Sequence, residues 1–378
     1  MRNQATARVV ERAFLAALLL ATVAGADAAH AEQGRLRRWG TTNFPLPPDI
    51  VTARVLTMAG TAAAVLRDDG SVQAWGSYSC SDGVLEVPPG LGRCVQVVAS
   101  NRGLEWSCVT CLRETGDLRT IVGSNIQDGN LPEFITNELN SRITTNGAIV
   151  SLGRSLAVAY ANGNLACNLS VFGAIVIDLP PPPGAPVTVF HACPESGAAV
   201  ALKSDGSLVA WTLWHKGGKE PDPSFIPGDL LSVQAFDASP SGFLFLRSDG
   251  GVRPYGGFSP VPPDLGPCVA VAAGDNGVGI VLTANGKVRS WGYGLTGDAQ
   301  QQCEPDASEF CCAPLPADLG RVTLIGIGGR ECDSCGIAPR IAFESSQPDP
   351  CDSDLNGDGA IDGLDLGIVL GTWGTCTP

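Results

Sequence analysis

The chain is short of charge, and shortest of positive charge. Only 16% of its 378 residues are Asp, Glu, Lys or Arg, and the 24 basic residues face 38 acidic ones, for a net charge of -14. A surface of that sign repels phosphate instead of displacing its counterions, which argues against nucleic acid as a partner. Low charge combined with 44% hydrophobic residues excludes a disordered chain. Beyond the N-terminus no apolar run approaches the roughly 20 residues of a membrane-spanning helix, so no membrane span is expected. Histidine numbers three in all, and neither G-x-S-x-G nor H-E-x-x-H occurs. The chain therefore lacks the local signatures of α/β-hydrolase and zinc-protease chemistry.

What it has in excess is 47 Gly and 28 Pro, the composition of a turn-rich β protein. The first 31 residues form a separate unit. Arg2, Arg8 and Arg12 precede the apolar stretch AFLAALLLATVAGA, and Ala29-His30-Ala31 supplies a small-residue cleavage site, the three parts of a secretory signal peptide. Residues 1–31 are thus expected to be removed, leaving a secreted, extracellular or cell-surface chain of 21 basic and 36 acidic residues. All 14 cysteines lie in that remainder, and in an oxidising compartment most are expected to pair.

A repeat organises the rest. AVLRDDGSVQAWG, TCLRETGDLRTIVG, VAYANGNLACN, VALKSDGSLVAW, LFLRSDGGVRPYG and IVLTANGKVRSWG each read as strand, short turn, strand. Their turns, Asp69-Gly70, Thr115-Gly116, Asn162-Gly163, Asp205-Gly206, Asp249-Gly250 and Asn285-Gly286, are hairpin signals, expected as type I′ turns with positive φ at both central residues. The turn glycines recur at intervals of 36 to 47 residues, the period of propeller blades. Upstream of an inner strand the phrases FPLPPDI, VPPGLG, VPPDLG and PLPADLG form proline-bounded loops, since proline cannot donate to a ladder. Trp75, Tyr255 and Trp291, each followed by glycine, are expected to pack between blades. A seventh unit begins at PLPADLG but lacks its last strand, and RLRRWG near the N-terminus has a strand but no hairpin. The fold class expected over residues 32–346 is therefore all-β: a seven-bladed β-propeller closed by the N-terminal strand.

Phrases such as VTARVLTMAGTAAAVLRDDGSVQAWG and VAVAAGDNGVGIVLTANGKVRSWG resemble the repeats of the regulator of chromosome condensation family, and the likeness runs over residues 35–344. It implies a seven-bladed propeller. The secreted bacterial branch of that family includes propellers that bind other proteins, which implies a binding role here.

Residues 347–378 form a third unit. Asp354, Asn356, Asp358, Asp362 and Asp365 stand at positions 1, 3, 5, 9 and 12 of a loop with Gly359 at position 6, the spacing of a calcium loop in which the Ala360 carbonyl is the position-7 ligand. Calcium is the cofactor this implies. Leu366, Val369, Leu370 and Trp373 then make one face of a helix, giving a small calcium loop–helix module. The run DLNGDGAIDGLDLGIVLGTWG resembles a dockerin-type repeat. Dockerins carry two such repeats that dock on a cohesin. One copy leaves both a cohesin-like partner and a structural attachment role open. Cys351 and Cys376 bracket the module and are expected to bridge.

Other sites weigh less. The C-x2-C pairs Cys108/Cys111 and Cys332/Cys335 could offer four thiolates to zinc, but they fall in different units, which favours strand-end disulfides or buried thiols. Cys303, Cys311 and Cys312 lie together in the polar insertion 298–314. His191 and His215 read as loop residues, and Trp211 and Trp214 beside His215 are candidate contacts, with core packing preferred for Trp211. The function expected is a monomeric, non-enzymatic binding propeller for an extracellular protein or glycan. The alternative is an extracellular polysaccharide lyase or hydrolase using acidic residues on the propeller face. Calorimetry should detect calcium binding to the mature chain and lose it in Asp354→Ala and Asp358→Ala; equal binding by the variants overturns the loop assignment.

Overall fold

A computed structural model of the chain describes residues 33–39, 46–76, 85–102, 106–121, 131–168, 175–193, 197–213, 222, 224, 226–228, 230–274, 277–292, 315–316, 318–328 and 340–346. The expected signal peptide 1–31, the insertion 298–314 and the unit 347–378, with all six residues expected to hold calcium, lie outside the described residues.

The described chain is all-β and propeller-like: seven small antiparallel sheets follow one another, none of them closed on itself. The first holds β2 (Val55–Ala59), β3 (Ala62–Leu66) and β4 (Val72–Gly76), and the second β5 (Cys94–Arg102), β6 (Trp106–Arg113) and β7 (Leu118–Ile121). The third has four strands, β8 (Ile149–Gly153), β9 (Ala157–Tyr160), β10 (Leu165–Asn168) and β11 (Val176–Leu179). The fourth holds β12 (Val187–Cys193), β13 (Ala198–Lys203) and β14 (Leu208–Thr212). The fifth holds β15 (Val233–Ser239), β16 (Gly242–Arg247) and β17 (Val252–Gly256), and the sixth β18 (Cys268–Ala273), β19 (Gly279–Thr283) and β20 (Val288–Trp291). The last pairs β21 (Val322–Ile327) and β22 (Arg340–Ser345) with β1 (Gly34–Trp39) from the other end of the chain.

All six turn glycines have φ between 77° and 91°. The residue before each glycine does not have positive φ, which corrects the expected type I′ geometry. In the first hairpin the Gly70 N–H donates to the Arg67 carbonyl and the Arg67 N–H to the Ser71 carbonyl. The other five hairpins repeat this pair of bonds. It is the three-residue hairpin in which a left-handed glycine forms a bulge. Asp or Asn precedes the glycine for another reason. The Asp69 Oδ1 accepts from the Ser71 N–H at 2.8 Å, Asp205 from Ser207 at 3.0 Å and Asp249 from Gly251 at 2.9 Å, so the carboxylate caps the turn two residues on.

Five of these six glycines also join their sheet to the next. The Gly70 carbonyl accepts the Cys94 N–H at 2.8 Å, Gly250 accepts that of Cys268 at 2.9 Å, and Gly116, Gly206 and Gly286 accept those of Ile149, Val233 and Val322. Each donor opens the first strand of the following sheet, directly before a β-bulge. First strands of successive sheets pack side by side, and β21 packs against β2. Apolar seams fill the gaps. The one holding Leu36, Phe343, Met58, Val65 and Trp75 unites the last sheet with the first. Trp75 and Trp291 are buried in such seams and Tyr255 packs against another, as their sequence setting suggests.

β1 is held by more than its ladder. Leu36 lies opposite Phe343, and the largely buried Glu344 carboxylate accepts from Arg35 Nε at 2.7 Å, Arg37 Nη1 at 3.0 Å and the Gly320 N–H. Burial opposes ionisation of Glu344, but these donors outweigh it and hold the carboxyl below its usual range. The helix α1 (Leu131–Ser141) departs from the repeat. It buries Ile135 and Leu139, while the Asn140 side chain accepts the Leu118 N–H at 2.8 Å and donates to the Leu118 carbonyl at 3.0 Å. The helix thus satisfies polar groups along the edge of β7 that would otherwise invite another strand.

Gly250 and Gly90 share a φ of +79°, but a Cβ on Gly250 would stand 3.0 Å from the Cys268 N and Pro267 Cα, whereas one on Gly90 meets nothing within 4 Å. In urea unfolding Gly90→Ala should lose about 1 kcal/mol and Gly250→Ala about 2 to 3 kcal/mol. Equal losses would show that the junction does not depend on close approach.

Candidate functional site

The most elaborate polar constellation among the described residues lies where the first strands of several sheets converge. It begins with Gly153, the last residue of β8, whose Cα passes so near β12 that a Cβ would fall 1.8 Å from the Phe190 carbonyl oxygen. The chain then makes a 3-10 turn, Arg154–Leu156. Within it Ser155 and Leu156 adopt φ of 55° and 53°, a conformation that costs a side-chain-bearing residue roughly 1 to 2 kcal/mol. The fully buried Leu156, packed with Leu112, Leu118, Ile135 and Tyr160, holds it in place.

That backbone aims Arg154 across the centre. Its Nε donates to Asp237 Oδ1 at 2.7 Å and its Nη2 to Asp237 Oδ2 at 2.9 Å, a bidentate pair. Nη1 donates to the Met58 carbonyl at 3.0 Å. Asp237 also accepts the Ala273 N–H at 2.9 Å, and His191 Nδ1 accepts the Arg154 N–H at 2.8 Å. The Arg154 side chain therefore ties the third sheet to the first and fifth, Asp237 carries the link on to the sixth, and the Arg154 backbone ties the fourth. Burial would raise the Asp237 carboxyl, but Arg154, with smaller help from His191, keeps it below its ordinary value. Burial lowers His191 to about 4, with Asp237 opposing and Arg154 assisting, so the imidazole is neutral at pH 7 and acts as an acceptor.

Beside the pair a cavity of about 10 Å³ is lined by Ser100, Arg154, Ser155, Cys193, Ser239 and Pro240 among others. That volume suits one water. The Cys193 thiol donates to the Ser239 carbonyl at 2.6 Å. The constellation can lock neighbouring sheets, and this cavity can hold one small polar molecule but not a sugar or peptide.

The sequence candidates fall elsewhere. Asp354, Asn356, Asp358, Ala360, Asp362 and Asp365 lie outside the described residues, as do Trp214 and His215. Trp211 is buried and meets Phe190 edge to face at 6.1 Å, in keeping with core packing. His191 is no loop residue: it sits on β12, half-buried, with its ring edge to face on Phe236 at 4.9 Å. Cys108 and Cys111 lie three apart on β6, so they face opposite sides of the sheet and cannot chelate one ion together. Against the expected pairing, Cys94, Cys108, Cys111, Cys167 and Cys268 are buried thiols. No spacing rule singles out Arg154 or Asp237. The available signal is weak: a lone carboxylate within the apolar run VQAFDAS. Arg340 on β22 is buried too, and its Nε and Nη1 reach no acceptor among the described residues, a burden that lowers its pKa to about 10.

No protein-family model matches the chain, and no curated protein matches it. Among solved structures it is similar to yeast RCC1 (Prp20), in a crystal structure with Kap60, at TM-score 0.52 and 14% identity over 87% of this chain and 95% of that one. It is also similar to human WBSCR16, at TM-score 0.51 and 13% identity over 84% of this chain and all of that one. The chain has an RCC1-like propeller fold. At such identities the RCC1-like likeness concerns the backbone alone.

The unfolded chain protonates histidine near pH 6.5, whereas folded His191 does so only near 4. In that window the unfolded state binds more protons, so stability should fall as pH drops, by about 3 kcal/mol at most. Asp237, with its lowered carboxyl, adds a second loss as pH falls below the ordinary carboxylate range. Urea midpoints across pH 4 to 7 should slope for the wild type and flatten for His191→Asn, which keeps an acceptor for the Arg154 N–H. An unchanged slope would remove His191 as the cause.

Proposed function

We propose that this is a secreted, non-enzymatic interaction propeller: seven blades in a ring closed by β1, whose loop faces bind an extracellular protein or glycan. The observation that carries this reading is the filled centre. Arg154 and Asp237 occupy the place where the first strands meet, and the adjoining cavity holds about 10 Å³, so recognition falls to the outer loops. Pairing of β1 with β22 and the seam between the last and first sheets support the closed ring. The RCC1 structure similar to this chain has Kap60 as its bound partner, which supports protein over small-molecule recognition. Residues 1–31 act as the signal peptide in this reading. Residues 347–378 form the dockerin-like module, with calcium held by Asp354, Asn356, Asp358, Ala360, Asp362 and Asp365 and serving attachment or assembly, whether or not through a cohesin-like partner.

The polysaccharide lyase or hydrolase remains the second reading. It needs two carboxylates converging in one pocket, whereas the half-buried Asp237 and the buried Glu344 stand in separate sheets and are each engaged by arginine. Pull-down from the producing organism's extracellular material, with the mature chain as bait, tests the proposal. A partner should be recovered by the propeller alone, and a second set should depend on calcium and on residues 348–378. Recovery indifferent to both sinks the attachment role, and turnover of an acidic polysaccharide by the mature chain sinks the non-enzymatic one.

A further inference from the structure

Two buried thiols face each other across the second sheet. Cys94 opens β5 and Cys111 lies on β6, where Val97 is its partner and Arg113 is the partner of Cys94. The bulge between Cys94 and Gln96 shifts the register and turns Cys94 onto the face that Cys111 occupies. Both belong to the apolar seam between the first and second sheets, at 1% and 0% exposure, and their thiols are hydrogen-bonded to each other. The chain contains its own control. Cys268 opens β18 as Cys94 opens β5, with the same bulge behind it, but the residue standing where Cys111 does is Val281. No described cysteine faces Cys268.

We propose that Cys94 and Cys111 are an oxidisable pair that closes into a disulfide across β5 and β6, while Cys108, Cys167 and Cys268 remain thiols. Cys94 is the attacking group. The hydrogen bond from Cys111 lowers its pKa against the opposing effect of burial, and Arg113 adds favourable charge. Cys111 is pushed the other way by the same bond and by burial, so it gives up its proton second. The oxidant is a disulfide such as oxidised glutathione. The Cys94 thiolate attacks one of its sulfurs and releases one thiolate, then the Cys111 thiolate displaces the other from the mixed disulfide. Two protein thiols are oxidised, one disulfide is reduced to two thiols, and the two protein protons pass to the leaving thiolates. The bridge would brace the strand whose Cys94 N–H bonds to the Gly70 carbonyl, and so the first junction between sheets.

The test is refolding of the mature chain in a glutathione redox buffer, followed by acid quench, alkylation, tryptic digestion without reduction and mass spectrometry. Trypsin separates residues 94–102 from 103–113. The expected product is these two peptides joined through Cys111, with Cys108 alkylated, and with Cys167 and Cys268 alkylated in their own peptides. Alkylated Cys94 and Cys111, or a bridge from either to another cysteine, overturns the proposal. Dithiothreitol should also lower the Tm of the oxidised protein by about 3 °C or more, and should not do so through this pair in Cys111→Val, which copies the Val281 arrangement. If the variant fails to fold, the wild-type peptide map decides alone.

Discussion

The fold depends on one hydrogen bond made five times: the carbonyl of a hairpin glycine accepts the first N–H of the next sheet. Only a residue free to take positive φ turns that carbonyl outward, and only one without Cβ lets the neighbouring strand come close enough to reach it. The bond fixes the start of every inner strand it meets, and the bulge behind that start sets the register of the ladder. Small sheets that cannot bury their own faces become a stack in which, at five junctions, one sheet sets the position of the next.

Ends and centre need other devices, because the glycine bond only runs forward. At the ends β1 is borrowed from the N-terminus, and Glu344, gathering Arg35, Arg37 and the Gly320 N–H, holds it. At the centre the inner strands leave backbone groups and a gap, and Arg154 fills it from a turn that bends through two left-handed residues. The strain is local and the return is shared among sheets. A centre filled this way is a keystone.

Burial makes the chemistry of the interior conditional. His191 stays neutral at pH 7 because partial desolvation disfavours its charged form, Asp237 stays charged because Arg154 pairs with it, and Arg340 bears its charge with Nε and Nη1 unpaired among the described residues. Cys94 and Cys268 occupy the same place in two repeats, yet only Cys94 looks onto a second sulfur. Identical local sequence positions acquire different reactivity from what the neighbouring strand supplies.

The hairpins, their turn glycines, the proline-bounded loops and the loose strand at each end are local or periodic, so they were legible in the residues themselves. Periodicity made the propeller-like fold readable as well, because a repeat that cannot bury its own faces must stack. The turn type is not legible in the residues, because Asp and Asn suit both left-handed φ and side-chain capping, and composition does not separate the two. The helix at 131–141 interrupts the period and leaves only Ile135 and Leu139 as a faint trace. The Arg154 centre and the Cys94–Cys111 contact join residues far apart in sequence or displaced by a bulge, and no spacing encodes them. Sequence by itself determined the repeating unit, since turn conformation and alternation are properties of neighbouring residues. Tertiary structure alone decided which charges and thiols meet, since burial and proximity exist only once the sheets are packed.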